Sequence, residues 1–76
     1  MEIGKEYIER DHRARRIVMV TGYWKDGEEP VASPGVPTRK GFVSIMTVSY
    51  NGVAVTKPRV TFVRCERFDK AFEASK

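Results

Sequence analysis

The chain has one cysteine, Cys65, and one histidine, His12. A lone cysteine forms no internal disulfide, and a single imidazole with a single thiolate cannot assemble a standard zinc site within one chain. No metal or other cofactor is expected, and a reducing cytoplasm is the natural setting. Long apolar runs are also missing. Nothing approaches the roughly 20 consecutive residues that span a bilayer, and Met1-Glu2-Ile3-Gly4-Lys5 lacks the basic-then-apolar layout of a signal peptide. A soluble intracellular protein with no membrane partner is the expectation.

The pairings that catalysis needs are scarce as well. A nucleophile requires a base within hydrogen-bond reach and usually a third group to orient that base. Here the only imidazole, His12, lies in an arginine-rich stretch, where a solvated loop position is expected. Cys65 stands beside Arg64 and Arg67, whose charges favour a thiolate; in a terminal turn it reads instead as a small buried hydrophobe. Glu28 and Glu29 fall in a Pro/Gly-rich segment with no rigid element to hold them in a catalytic geometry. No catalytic residue is assigned, and an enzyme is not expected.

What the chain does have is enough apolar material for one small core. Its 76 residues allow a single domain, 1–76, near the size at which burial only just offsets chain entropy. The 41 % hydrophobic and 11 % aromatic content argues against wholesale disorder. Fourteen Lys and Arg against ten Asp and Glu leave a modest +4, so the placement of the cations matters more than their sum.

The local patterns are mostly those of strands. Residues 3–9 place Ile3, Tyr7 and Ile8 among charges, with Gly4 near the start, suiting a short first strand. The run Arg-Ile-Val-Met-Val-Thr-Gly-Tyr-Trp at 16–24 is rich in β-branched and aromatic types at both parities. It is expected to be a central strand with Ile17, Met19 and Thr21 on one face, Val18, Val20 and Trp24 on the other, and both faces covered. Residues 25–41 hold three of the four prolines and three of the six glycines, so one long mobile loop is expected there.

Residues 42–63 read as two β-runs meeting at Asn51-Gly52, the dipeptide that supplies the positive φ angles of a type I′ hairpin turn. A two-residue turn pairs Tyr50 with Val53 and Val48 with Val55, which predicts those four side chains on one inner face. The parity then changes, from Val53 and Val55 to Val60 and Phe62, across Lys57-Pro58. A bend there is expected to re-aim Val60 and Phe62 inward and to curl the sheet towards a barrel. Finally Cys65, Phe68 and Phe72 recur at helical spacing, predicting a short C-terminal helical turn followed by a frayed tail at 73–76.

Several of these residues form a pattern of their own: Gly4 with Tyr7, then Asp11-His12-Arg13, Arg16 opening a β-run, and a closing Arg-x-x-Arg-Phe at Arg64, Arg67 and Phe68. The pattern resembles that of small proteins encoded by bacteriophages of actinobacteria. The resemblance covers both ends of the chain and implies an SH3-like small barrel of unknown function, acting in the cytoplasm of an infected bacterial host. The expected fold is thus mainly β: an SH3-like, partly open barrel of about five strands with a short C-terminal helical turn.

Two functional classes fit this description. The first is a protein-interaction module, binding a host or phage protein through the 25–41 segment, where Arg39 and Lys40 are the candidate contacts, or through an exposed sheet edge. The second is a nucleic-acid-binding small barrel. Arg10, Arg13, Arg15 and Arg16 place four guanidinium groups within seven residues, and such groups bind phosphates bidentately. Tyr23 and Trp24 would supply a stacking surface for DNA or RNA if exposed. A charge of +4 is mild for a dedicated nucleic-acid binder, which favours the protein-interaction reading. Either function is compatible with a monomer or a dimer.

Overall fold

A computed structural model of the chain describes residues 1–10 and 15–74. Its elements in chain order are β1 (Glu6–Glu9), β2 (Arg16–Tyr23), β3 (Val31–Ala32), β4 (Phe42–Tyr50), β5 (Val53–Ala54), β6 (Val60–Arg64), α1 (Cys65–Ala71) and β7 (Phe72–Ala74). The strands form one antiparallel open sheet in the order β5-β4-β2-β1-β7, with β3 also on β2 and β6 also on β4. Seven strands stand where about five were expected because the additional ones are fragments. β5 and β6 both pair with β4, at Ser49-Tyr50 and at Phe42 to Met46. They are one strand interrupted around Pro58, where the parity change predicted a bend and where proline has no amide hydrogen to donate.

The turn at the tip of β4 forms as its sequence requires. Asn51 and Gly52 have φ of 52° and 81°, both in the left-handed region that a type I′ turn needs, and Tyr50 pairs with Val53. Asn51 has a second role: its Oδ1 accepts from the Arg15 amide at 2.9 Å, and its own amide donates to the Arg15 carbonyl at 2.8 Å. The hairpin tip is thereby tied to the entrance of β2.

The side chains beside this turn do not face the core. Tyr50 is 41 % exposed and Val53 69 %, while Val48 and Val55 are half-buried, so the expected inner face is corrected to an outlying one. Instead Val43 and Ile45, of opposite parity, are fully buried with Val18 and Val20. Two causes act together. The helix that covers the sheet is seven residues long, about 10 Å at 1.5 Å per residue, too short to shelter all nine residues of β4. The register between β2 and β4 also slips twice, with Val48 as the extra residue of β4 and Thr21 as the extra residue of β2. Each such bulge re-aims the strand locally.

The same register turns Phe62 outward. It lies opposite Ser44, whereas Thr61 and Val63 lie opposite the core residues Ile45 and Val43. Phe62 is 39 % exposed and Val60 half-buried, so neither was re-aimed into the core as expected. On β2 the two-faced pattern is real but unequal: Val18 and Val20 are fully buried, and Ile17 and Met19 on the reverse face are half-buried.

The core is closed by the C-terminal aromatics. Phe68 and Phe72, four residues apart, stack at 4.9 Å, and Tyr7 meets Phe68 edge-on at 5.1 Å. Such ring pairs add to the area they bury. Glu66 in the first turn and Lys70 in the last match the helix dipole. Glu73 and Ala74, expected in a frayed tail, pair instead with Ile8 and Tyr7 of β1. Among the described residues no helix is long and apolar enough to cross a membrane.

The 25–41 segment is also more structured than a single loop. β3 pairs with Gly22 and Tyr23, and the Ser33 amide donates to the Thr21 carbonyl at 3.0 Å. Ser33-Pro34-Gly35-Val36 closes a turn with its third residue at φ +79°, which only glycine adopts without strain. The Ser44 hydroxyl donates to the Pro37 carbonyl at 2.8 Å, so this fully buried polar side chain is satisfied by the segment lying over it. Val31–Ala32 form an edge strand inside a Pro/Gly-rich stretch because pairing with β2 supplies the hydrogen bonds that the surrounding sequence would not sustain alone.

A candidate binding face on β4 and β6

The arginines grouped by the sequence do not form one cationic surface. The Arg10 guanidinium reaches back to the end of α1, where its Nη2 donates to the carbonyls of Asp69 and Phe72 at 2.9 and 3.3 Å. Those are among the carbonyls a helix leaves without partners at its C-terminus, so Arg10 serves as a helix cap. Arg16 is held differently: its Nε lies 2.9 Å from Glu9 Oε1, and its guanidinium sits 5.5 Å from the centre of the Phe72 ring. Arg15 is exposed. Arg13, with Asp11 and His12, lies outside the described residues. Two members of the expected phosphate-binding cluster are therefore engaged in holding β1, β2 and the C-terminal elements together.

Tyr23 and Trp24 are likewise occupied. Both are half-buried; the Trp24 indole donates to the Glu28 carbonyl at 2.9 Å, and Lys25 Nζ lies 5.9 Å from the Tyr23 ring centre. They anchor the 25–41 segment instead of presenting free rings. Cys65 is half-buried, with Sγ 4.0 Å from the Trp24 carbonyl. Burial pushes its thiol pKa up, and the Asp69 carboxylate adds to the rise. The neighbouring arginines thus do not activate it, and the small-hydrophobe reading describes its surroundings better. Among the described residues, no three His, Cys, Asp or Glu side chains converge as metal ligands.

A different set of residues does come together, on the sheet face away from the core. Residues paired across antiparallel strands share a face, so the register places Phe42 with Arg64, Ser44 with Phe62, and Met46 with Val60. Phe42 and Phe62 meet edge-on at 6.3 Å. Two guanidinium groups lie against Phe42, that of Arg39 at 4.7 Å from the ring centre and that of Arg64 at 5.2 Å. An aromatic ring attracts a cation through its quadrupole, and here one ring attracts two. Among the described residues, neither arginine has a carboxylate within ion-pair distance.

Arg64 links this cluster to a second feature. With Glu66, Arg67, Lys70 and Ala71 it lines a shallow depression of about 450 Å³ beside α1. Arg39, the candidate of the 25–41 segment, joins the cluster from its far end. Lys40 is exposed next to it.

The sequence pattern gives Phe42, Phe62 and Arg64 no binding role, because it places Phe62 on the inner side of the sheet. A signal was present nonetheless. Between Glu29 and Glu66 the chain has no Asp or Glu, while Arg39, Lys40, Lys57, Arg59 and Arg64 fall in that interval. The β4 to β6 hairpin is thus purely cationic, and the acidic residues lie in the rest of the chain. Comparison with protein-family models, with curated proteins and with solved structures yields no match to this chain.

Proposed function

We propose that this chain is a small non-enzymatic interaction module that holds an anionic macromolecule on the outer face of β4 and β6. The observation that carries this reading is the Phe42 ring with Arg39 and Arg64 against it and, among the described residues, no carboxylate within ion-pair distance of either. Two like charges drawn to one ring repel each other, and a bound anion relieves that repulsion. A partly exposed site strengthens such contacts beyond their value in bulk water. On this reading the resemblance to actinobacteriophage proteins supplies the fold type, a partly open SH3-like barrel curled by the bulges at Thr21 and Val48. The partner favoured by composition alone is an acidic segment of a host or phage protein, and the cytoplasm is where it would be met.

Retention on a heparin column tests the site without presuming the partner's identity. The native chain is expected to elute later than its +4 charge implies. Replacing both Arg39 and Arg64 by alanine should bring elution forward much more than replacing Arg10 and Arg15, although each pair removes the same charge. Equal shifts for the two pairs would mean that only net charge matters, and the proposed face would be wrong.

A further inference from the structure

We infer that the occupant of this face is a single-stranded nucleic acid, with a base laid on Phe62 and successive phosphates held by Arg39, Arg64, Arg67 and Lys70. This rests on the interaction-module reading and names the ligand of the same site. Phe62 carries the first part of the argument. It is a large apolar ring on an outer sheet face, 39 % exposed, and its edge-on contact with Phe42 leaves it supported from one side. A supported, accessible ring is what base stacking requires, and stacking tolerates any sequence because every base has a π-face.

The cations carry the second part. Arg64 belongs both to the aromatic cluster and to the depression that Glu66, Arg67 and Lys70 also line, so three cations stand against one carboxylate along a surface continuous with Phe42. Guanidinium groups match phosphate oxygens in a planar, bidentate fork. A polynucleotide alternates flat bases with phosphates and so uses both halves of the site. An acidic peptide would use the arginines and leave the Phe62 ring without a complementary group. A duplex fits less well than a single strand, since its bases are already stacked. The one described helix has seven residues, with Phe68 turned into the core, and it presents no recognition surface of the kind that enters a major groove.

The test measures fluorescence anisotropy of a labelled oligothymidylate of about ten nucleotides, a duplex of equal length, and a labelled polyglutamate of similar charge, each with the full chain. The single strand is expected to bind most tightly. With three or four phosphates engaged, affinity should fall about 20- to 50-fold between about 50 and 200 mM salt. Phe62→Ala should weaken the single strand about tenfold with the salt slope unchanged, and Phe62→Tyr should restore it. Arg64→Ala should flatten the slope. Because Phe62 is exposed, circular dichroism of both Phe62 variants is expected to match the native chain.

Polyglutamate bound as tightly as the strand, or Phe62→Ala without effect on a folded protein, would overturn the nucleic-acid assignment while leaving the anionic-partner module standing. If neither polyanion binds at low salt, both readings fall.

Discussion

Gly22 is the position at which one added methyl group has the clearest structural consequence. It lies on β2 opposite Ala32 of β3, and a Cβ built there would stand 2.9 Å from the Ala32 Cβ and 3.1 Å from the Val31 carbonyl oxygen. Two opposing terms decide the outcome for Gly22→Ala. Removing a glycine from a strand interior gains about 0.5–1 kcal/mol by restricting the unfolded chain. Overpacking costs about 1–3 kcal/mol, and here the obstruction is a backbone oxygen and a side chain with no rotamer to escape into. The net expectation is a loss of about 1–2 kcal/mol, and at about 4–8 °C per kcal/mol for a domain of this size Tm should fall by roughly 4–16 °C.

Urea unfolding measures the loss, and hydrogen exchange locates it. The Ser33 amide, bonded to the Thr21 carbonyl, should exchange faster if β3 lifts off the sheet. Ala32→Gly in the same chain removes the first obstruction and leaves the second, so the double variant should recover part of the stability. If Gly22→Ala proves as stable as the native chain, with Ser33 exchange unchanged, β3 does not pair as described.

Arg16→Ala is expected to cost about 1–3 kcal/mol, because it leaves the Glu9 carboxylate, only 10 % exposed, without its ion-pair partner. It should leave oligonucleotide affinity at the β4 to β6 face nearly unchanged, and thermal unfolding beside a binding titration separates the two effects. Alkylation of Cys65 by iodoacetamide should have its pH midpoint above that of a free cysteine and move down to the free value in denaturant, since burial is the main cause of the raised pKa. A midpoint below the free value in the folded chain would mean that Arg64 and Arg67 govern the thiol after all.

Which features were legible in the sequence follows from the range of the interactions that create them. Asn51-Gly52, the β-branched run of β2 and the interruption at Pro58 are decided within a few residues, and each is read directly. The inner face of β4 is not local. It depends on where Phe68 and Phe72 come to rest, and on two bulges whose extra residues, Thr21 and Val48, carry no distinctive side chain. A single slip exchanges the faces of a strand, so an error at Val48 carried through to Val60 and Phe62.

The candidate site shows the same division. The density of arginines at 10–16 is obvious in the sequence, yet the partners that engage Arg10 lie 59 and 62 residues away. Proximity along the chain showed the charges and concealed their employment. The cationic face of β4 and β6 was hidden for the converse reason, since Arg39, Phe42, Phe62 and Arg64 become neighbours only when the strands pair. The missing carboxylates between Glu29 and Glu66 were its one linear trace.

The pairing of β1 with β7 governs when this protein can acquire its structure during synthesis. Tyr7 lies opposite Ala74 and meets Phe68, while Arg10 caps the helix that carries Phe68. β1 can pair with β2 early, through Tyr7 opposite Val18, but its second edge and its ring contact wait for the last residues of the chain. At a translation rate of about 5–20 residues per second, the 59 positions between Arg10 and Asp69 represent about 3–12 s of waiting. The β4 to β6 hairpin is complete only with Arg64, five positions before Asp69, so it stands with Val43 and Ile45 uncovered for about 0.3–1 s at the end of that wait.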